Sequence, residues 1–439
     1  MPDSEELEKK EKREFMRETI VKPPLTRKQI AKRVALFVCA SAVFGGVAAV
    51  SFAAVKPFAD RCFQENGMQE TSSVEFSKDD PDSVSPSDGA DADMTAQPEQ
   101  MEQEIDEAVS EALSSYQFSA DNFNSMTSVL RGIGEQGDKS IVTVSSGKQD
   151  TDIFGNPVEN TGDYAGAVIA ESDGEFLIFT YADAVRAADS INVRFSDGTK
   201  IAGTVRQIDE VLGMAVVAVP SGNLPEEERK KVQVLSLANS YTVKAGDVLV
   251  AIGGPSGQVH SLSFGTVSYV ARNVQITDGL TRILYADISS NSQTGTFLIN
   301  TAGEMVGWTS ESCRNESCTD RTAAYTISSY KPILERLTNG VSAAYLGILG
   351  QDVSRAMQGS GIPAGVYVTE AVSGSPAYDA GIQPGDIIVK FGTKEIGSFK
   401  DLQAQIENSA SGVSVSVNVM RKGRDGYTEI PFLVSLRAR

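Results

Sequence analysis

Residues Ala286–Trp308 read ADISSNSQTGTFLINTAGEMVGW. The stretch opens in a turn crowded with hydroxyl and amide side chains, from Ser289 to Thr294, and enters the apolar run Thr296–Ile299. It turns at Thr301-Ala302-Gly303 and returns through Met305–Trp308. Two short apolar runs joined by a glycine-bearing turn read as a β-hairpin.

The same pattern extends on both sides. Ser140–Ser146, Ala165–Ser172, Glu175–Tyr181, Ser190–Gly198 and Met214–Pro220 are short apolar or alternating runs bounded by turn residues. Asp247–Pro255, Leu262–Val270, Thr281–Ile288 and Ala323–Ser328 are of the same kind. Strands at this spacing predict a mainly β, barrel-forming domain that starts near Phe123. Lys331–Leu337 reads as a closing helix.

The Ala286–Trp308 segment resembles the nucleophile segment of the HtrA family of chymotrypsin-fold serine proteases, where Asn-Ser-Gly-Gly-Pro-Leu precedes a hairpin. Aligned without gaps on Leu298, Asn300, Gly303, Glu304 and Gly307, the family's Ser falls on Thr294. Its two glycines become Gly295 and Thr296, and its proline Phe297. Gly174–Val205 resembles the segment around the family's catalytic His, and Asp183 stands at the His position. In Val211–Val219, Gly213 stands where the family has Asp. The chain holds one histidine, His260, which lies outside the base position.

A hydroxyl needs a positioned base to become a nucleophile, and a carboxylate with pKa near 4 suits that task poorly. Loss of a triad member costs about four orders of magnitude in rate. The expectation is a pseudoprotease with no catalytic residues. Ser292 is the alternative nucleophile, at the cost of a two-residue insertion and still without a base. Ser146–Asp163, rich in Gly, Asp and Asn, corresponds to a regulatory loop of the family.

The last hundred residues resemble a PDZ domain of the HtrA type. Ala344–Gly350 (AYLGILG) and the run from Ser375-Pro376-Ala377 through Gly381-Ile382-Gln383-Pro384-Gly385-Asp386 carry the likeness. The resemblance implies that N–H groups of Tyr345, Leu346, Gly347 and Ile348 hold a terminal carboxylate. The following strand would pair with an extended peptide. Leu346, Ile348, Leu402 and Ile406 would form the pocket for its last side chain.

Composition bounds the rest. The chain has 439 residues and a formal net charge of −19, which argues against nucleic-acid binding. Val34–Val55 carries no charge and, at about 22 residues, is long enough to span a bilayer. Lys22, Arg27, Lys28, Lys32 and Arg33 precede it, which places the N-terminus in the cytoplasm. Cys313 and Cys318, within SCRNESC, suit a local disulfide in an oxidising exterior; no metal or cofactor is expected.

The expected organisation is a cytoplasmic tail (1–33), a transmembrane signal anchor (34–55), an acidic disordered linker (56–97) and a helical lead-in (98–122) with an amphipathic helix over Pro98–Tyr116. A degenerate trypsin-like domain (123–340), folded as a chymotrypsin-like double β-barrel, and a PDZ domain (341–439) follow. The expected role is to bind C-terminal or unfolded segments of bacterial envelope proteins outside the cytoplasmic membrane. The family resemblance adds a homotrimer. An active serine- or threonine-type endopeptidase and a purely structural envelope protein are the alternatives.

Overall fold

The computed structural model describes residues 73–80, 119–151, 157–186, 188–291, 293–313 and 321–439. The expected tail, membrane span and Pro98–Tyr116 helix lie outside them, as do Ser292 and Cys318. Among the described residues no helix is long and apolar enough to cross a membrane.

The first sheet takes seven strands. They are β1 (Ile141–Thr151), β2 (Pro157–Ser172), β3 (Glu175–Tyr181), β4 (Ser190–Arg194), β5 (Lys200–Ala202), β6 (Thr204–Asp209) and β7 (Met214–Pro220), in the order β5-β4-β1-β2-β3-β7-β6. β5 and β6, at the two ends of that order, are separated in sequence by Gly203 alone, so one bent strand joins both edges. Six further strands form a closed barrel in the order β10-β13-β12-β11-β8-β9. These are β8 (Val248–Gly253), β9 (Ser263–Ile276), β10 (Gly279–Ala286), β11 (Thr296–Ile299), β12 (Met305–Thr309) and β13 (Thr322–Thr326).

Alternation along β3 explains why it reads as an unbroken apolar run. Phe176 and Ile178 point into the first sheet's own core, with Val144, Val193 and Val217. Leu177, Phe179 and Tyr181 point the other way, into a second core shared with Ile252, Phe297 and Trp308 of the barrel. A strand buried on both faces has no solvent side to be polar. Trp308, the only tryptophan, sits 5.3 Å from Phe179, 5.4 Å from Tyr325 and 5.1 Å from Tyr330 between ring centroids.

The region before β1 differs from expectation. Ala120–Asp138 is a helix, α1, that buries Leu130, Gly134 and Gly137. Glycine permits the close approach, since a Cβ at Gly134 would fall 2.2 Å from Leu262. Helix propensity here is poor, and tertiary packing overrides it. The Ser146–Asp163 segment is likewise no simple loop. β1 and β2 continue as paired strands from Ser146↔Gly162 out to Thr151↔Pro157.

Part of the expected disordered linker is also held in place. Val74 and Phe76 pack against the shared core, and their N–H groups donate to Asn339 and Glu335 at 2.9 and 3.2 Å. Asp79 meets Lys331 Nζ at 2.7 Å, at the start of α2 (Lys331–Thr338). Two apolar side chains at alternate positions give this short stretch a face to bury.

The C-terminal sheet runs β15 (Ile348–Asp352), β16 (Val366–Ala371), β17 (Ile387–Phe391), β19 (Ser414–Gly423) and β20 (Gly426–Ser435), with β18 (Lys394–Glu395) on β17. β14 (Ala344–Tyr345) pairs separately with β21 (Arg437–Ala438). Helices α3 (Pro376–Ala380) and α4 (Phe399–Glu407) complete it. Ser375 and Ser398 cap these helices through their hydroxyls.

Lys331 is 3 % exposed, so loss of its partner would strand a buried cation. Asp79→Ala is expected to lower stability by about 3 kcal/mol, read by urea unfolding with Trp308 fluorescence. An unchanged midpoint would show that Ser73–Asp80 contributes nothing to the fold.

Candidate active site and peptide groove

The seam between the first sheet and the barrel brings together the segments of Asp183, Gly213 and Thr294, which the sequence resemblance aligned with a triad. Asp183 lies in a single 3-10 turn, Ala182–Ala184, directly after β3. Gly213 sits in the turn before β7, and its carbonyl accepts the Ala182 N–H at 3.0 Å. Thr294 lies between β10 and β11, and its carbonyl accepts the Ala165 N–H at 2.7 Å.

Their side chains are not joined into a relay. The Asp183 carboxylate is exposed and bonds to Arg186 Nη1 at 2.8 Å. His260 Nδ1 lies 3.1 Å from both carboxylate oxygens of Asp138, at the end of α1. Among the described residues no hydrogen bond reaches the Thr294 hydroxyl from either of them.

The loop's backbone donors are spoken for. Gln293 N–H and Thr294 N–H both donate to Asn291 Oδ1, at 2.9 and 3.0 Å. Gly295 N–H donates to the Asn291 carbonyl at 3.0 Å. An oxyanion hole needs the nucleophile's own N–H aimed at the reacting oxygen. Here the Thr294 amide is aimed at a neighbouring side chain.

Tyr181 fills the seam below this loop. Its hydroxyl donates to the Thr296 carbonyl at 3.0 Å and accepts the Thr296 N–H at 2.9 Å. Burial pushes its phenol well above the usual range. The ring occupies the space beside Gly295, where a Cβ would come within 2.3 Å of it. Gly295 also has φ +96°, a left-handed conformation natural to glycine. Thr296, in place of a glycine, is fully buried and bonds to the Asn291 carbonyl at 3.3 Å.

In the C-terminal domain, Leu346, Gly347 and Ile348 present their N–H groups to one point, and a carboxylate is already there. Leu346 N–H donates to Asp278 Oδ2 at 2.9 Å. Gly347 and Ile348 N–H donate to Asp278 Oδ1 at 2.7 and 2.9 Å. Asp278 belongs to the two-residue turn between β9 and β10, some seventy residues earlier in the chain. Its own N–H donates to the Ile348 carbonyl at 2.8 Å. Tyr345 stands apart from this set: it pairs with Arg437 in β14–β21.

The remaining groove residues form one cluster. Leu346, Ile348, Leu402 and Ile406 are all buried, and Leu280, just past the hairpin turn, packs against their cluster. Leu280 N–H donates to Gln403 Oε1 of α4 at 3.1 Å. Gln275, at the other side of the hairpin, donates from its side chain to the Gly350 carbonyl of β15. Burial pushes the Asp278 carboxyl up, while the nearby Arg439 guanidinium and the three N–H groups pull it down. Among the described residues Cys313 has no disulfide partner, its expected partner Cys318 lying outside them; Cys313 is buried, and burial raises its thiol.

Sequence reading singled out Asp183, Gly213, Thr294 and the Tyr345–Ile348 loop as expected site positions. It missed Asn291, Tyr181 and Asp278, the three groups that satisfy them. The Asp278-Gly279 pair between two strands is a hairpin signal, but it does not say which loop the hairpin tip will meet.

Two barrel-forming sheets that share a core, followed by a sheet with a donor loop and a flanking helix, define a trypsin-like protease fold joined to a PDZ domain. Residues 165–307 match the trypsin-like peptidase domain model, and residues 344–431 match the PDZ domain model. The relatives of this chain are HtrA-type serine proteases. It is 30 % identical over 282 residues to the "Probable periplasmic serine endoprotease DegP-like" of Hahella chejuensis, covering 62 % of this chain and 58 % of the relative. It is 28 % identical over 277 residues to the serine endoprotease DegS of Haemophilus influenzae, covering 61 % and 75 %. The chain thus spans less than two thirds of the Hahella relative's length. Among solved structures, the HtrA-type protease AlgW with decapeptide shares the fold, with a TM-score of 0.50 at 18 % identity over 71 % of this chain and 98 % of that one.

Tyr181→Phe leaves the buried Thr296 N–H without its partner and its carbonyl with only the Thr309 hydroxyl, at 3.4 Å. It is expected to cost about 1–3 kcal/mol of stability, measured by urea unfolding. A neutral substitution would mean that Tyr181 contributes only its ring.

Proposed function

We propose that this chain is a catalytically inactive HtrA-like protein that binds C-terminal or extended segments of envelope proteins, as a scaffold, adaptor or regulator. One helix over residues 34–55 would hold it in the cytoplasmic membrane, with both folded domains outside. The observation that carries the reading is the Thr294 loop. Its amide donates to Asn291, and the carboxylate at the base position, Asp183, is paired with Arg186. Hydrolysis at a hydroxyl needs a base and a vacant donor for the oxyanion, and the described geometry offers Thr294 neither. The three convergent N–H groups of Leu346–Ile348 support the binding half of the proposal, since such a set recognises a carboxylate.

The full-length chain, in detergent, is expected to leave an unfolded, carboxymethylated protein substrate uncut and to resist labelling by a fluorophosphonate probe. Thr294→Ala and Ser292→Ala variants should behave identically. Labelling that disappears in one of them would identify the nucleophile and establish the alternative, a serine- or threonine-type endopeptidase.

Self-association is a second element of the proposal. Phe123, Met126 and Val129 on α1 are 53, 50 and 62 % exposed, an apolar stripe that a second copy of the chain could cover. Met126→Glu with Val129→Glu is expected to shift sedimentation of the detergent-solubilised chain toward monomer. No shift would remove this face as the contact.

A further inference from the structure

The hairpin tip meets the groove as a bound peptide would. A C-terminal peptide offers the donor loop a carboxylate, offers the edge strand a backbone N–H, and places an apolar side chain in the pocket. Asp278 supplies the carboxylate to Leu346, Gly347 and Ile348. Its own N–H bonds to the Ile348 carbonyl. Leu280 packs against the cluster that includes Leu402 and Ile406. β15 lies at the end of its sheet's order, so its outer edge is open to a further strand. Gln275 takes the next carbonyl along that edge, Gly350.

We propose that Asp278 is an intramolecular ligand of the PDZ groove, which a C-terminal peptide enters only when the β9–β10 hairpin tip withdraws. The inference rests on the peptide-binding function proposed above and concerns its regulation. A competing peptide brings the same functional group as Asp278, and it competes against a carboxylate tethered at high effective concentration. The wild-type groove is therefore a weak site whose apparent affinity is set by how often the tip leaves.

The surroundings permit departure. A cavity of about 570 Å³ adjoins the hairpin, lined in part by Arg272, Leu280, Arg282, Lys400 and Gln403, so Leu280 borders open space on one side. Beyond the Asp278 bonds, the tip is held by Arg439, which donates to the Thr277 carbonyl at 3.3 Å, by Gln403, which accepts the Leu280 N–H, and by Gln275 on the Gly350 carbonyl. The domain joint has other ties that need not break. Arg336 of α2 donates to the carbonyls of Glu407 and Ser409, at 2.7 and 3.1 Å.

Asp278 has φ +64°, a conformation that glycine adopts freely and asparagine tolerates. Asp278→Gly and Asp278→Asn therefore preserve the turn while removing the carboxylate or its charge. The probe is a fluorescein-labelled decapeptide ending in leucine with a free carboxylate, titrated into the full-length chain, with its C-terminal amide as control. A groove closed about nine-tenths of the time weakens apparent affinity about tenfold. Asp278→Gly is expected to bind the peptide about tenfold tighter than wild type or better, Asp278→Asn to fall between, and the amide to bind neither. Hydrogen exchange at Leu346, Gly347 and Ile348 should quicken in Asp278→Gly.

Equal affinity of wild type and Asp278→Gly would overturn the proposal and leave peptide binding standing. Absence of binding by every variant, with exchange quickened in Asp278→Gly, would instead remove the peptide-binding function, and this regulation with it.

Discussion

Backbone N–H groups that converge on one point cannot be left without an acceptor once water is excluded, because each orphaned donor costs about 1–3 kcal/mol. This chain has two such points. At the Thr294 loop the acceptor is Asn291, three residues away. At the Leu346–Ile348 loop it is Asp278, brought from another domain. The difference in range matters. An acceptor held within one tight turn stays in place whatever the domains do. An acceptor carried on a distant hairpin holds two domains in a particular relation and can be exchanged for a chemically equivalent one.

At the seam between the sheets a single side chain ties the two together. Tyr181 brings a bulky ring and a hydroxyl to the strand end that precedes Asp183. The hydroxyl brackets both backbone groups of Thr296, and the ring lies 6.0 Å from that of Phe297. Phe297 in turn stands 5.5 Å from Phe179. β11 is thereby joined to the shared core through Phe297. Such contacts add aromatic burial to the interface between the sheets, so the seam is built for cohesion.

Much of the architecture was legible because it is locally encoded. The apolar runs of β3, β7 and β11 declare buried strands, and Ser375 and Ser398 announce the helices they cap. The glycine-rich helix α1 was not legible. Its stability comes from packing against Leu262 and the barrel, and its local propensity points elsewhere. Ser73–Asp80 was hidden for a similar reason: Val74 and Phe76 acquire meaning only beside α2. Asp278 is the sharpest case. Its turn could be read from Asp278-Gly279, but its partner lies about seventy positions on, and no periodicity links a hairpin tip to a donor loop in another domain.

The charge balance around Asp278 follows from local geometry more than from the net charge of −19. Screening confines exposed charges to about 8–10 Å at physiological ionic strength, so most of the acidic surface contributes little here. What acts is the buried cation nearby. Arg439 lies 3.3 Å from Asp209 and also draws down the Asp278 carboxyl, whereas burial pushes both acids up. Two buried carboxylates thus share one guanidinium, and only Asp278 has three backbone donors to supplement it; Asp209 has two, from Val211 and Leu212. If the tip withdraws, Arg439 keeps Asp209 as its partner, and Asp278 gains solvent in exchange for the donors. Neither ion is stranded by the motion. That asymmetry distinguishes the hairpin contact from an ordinary buried ion pair, whose opening would leave both charges without compensation.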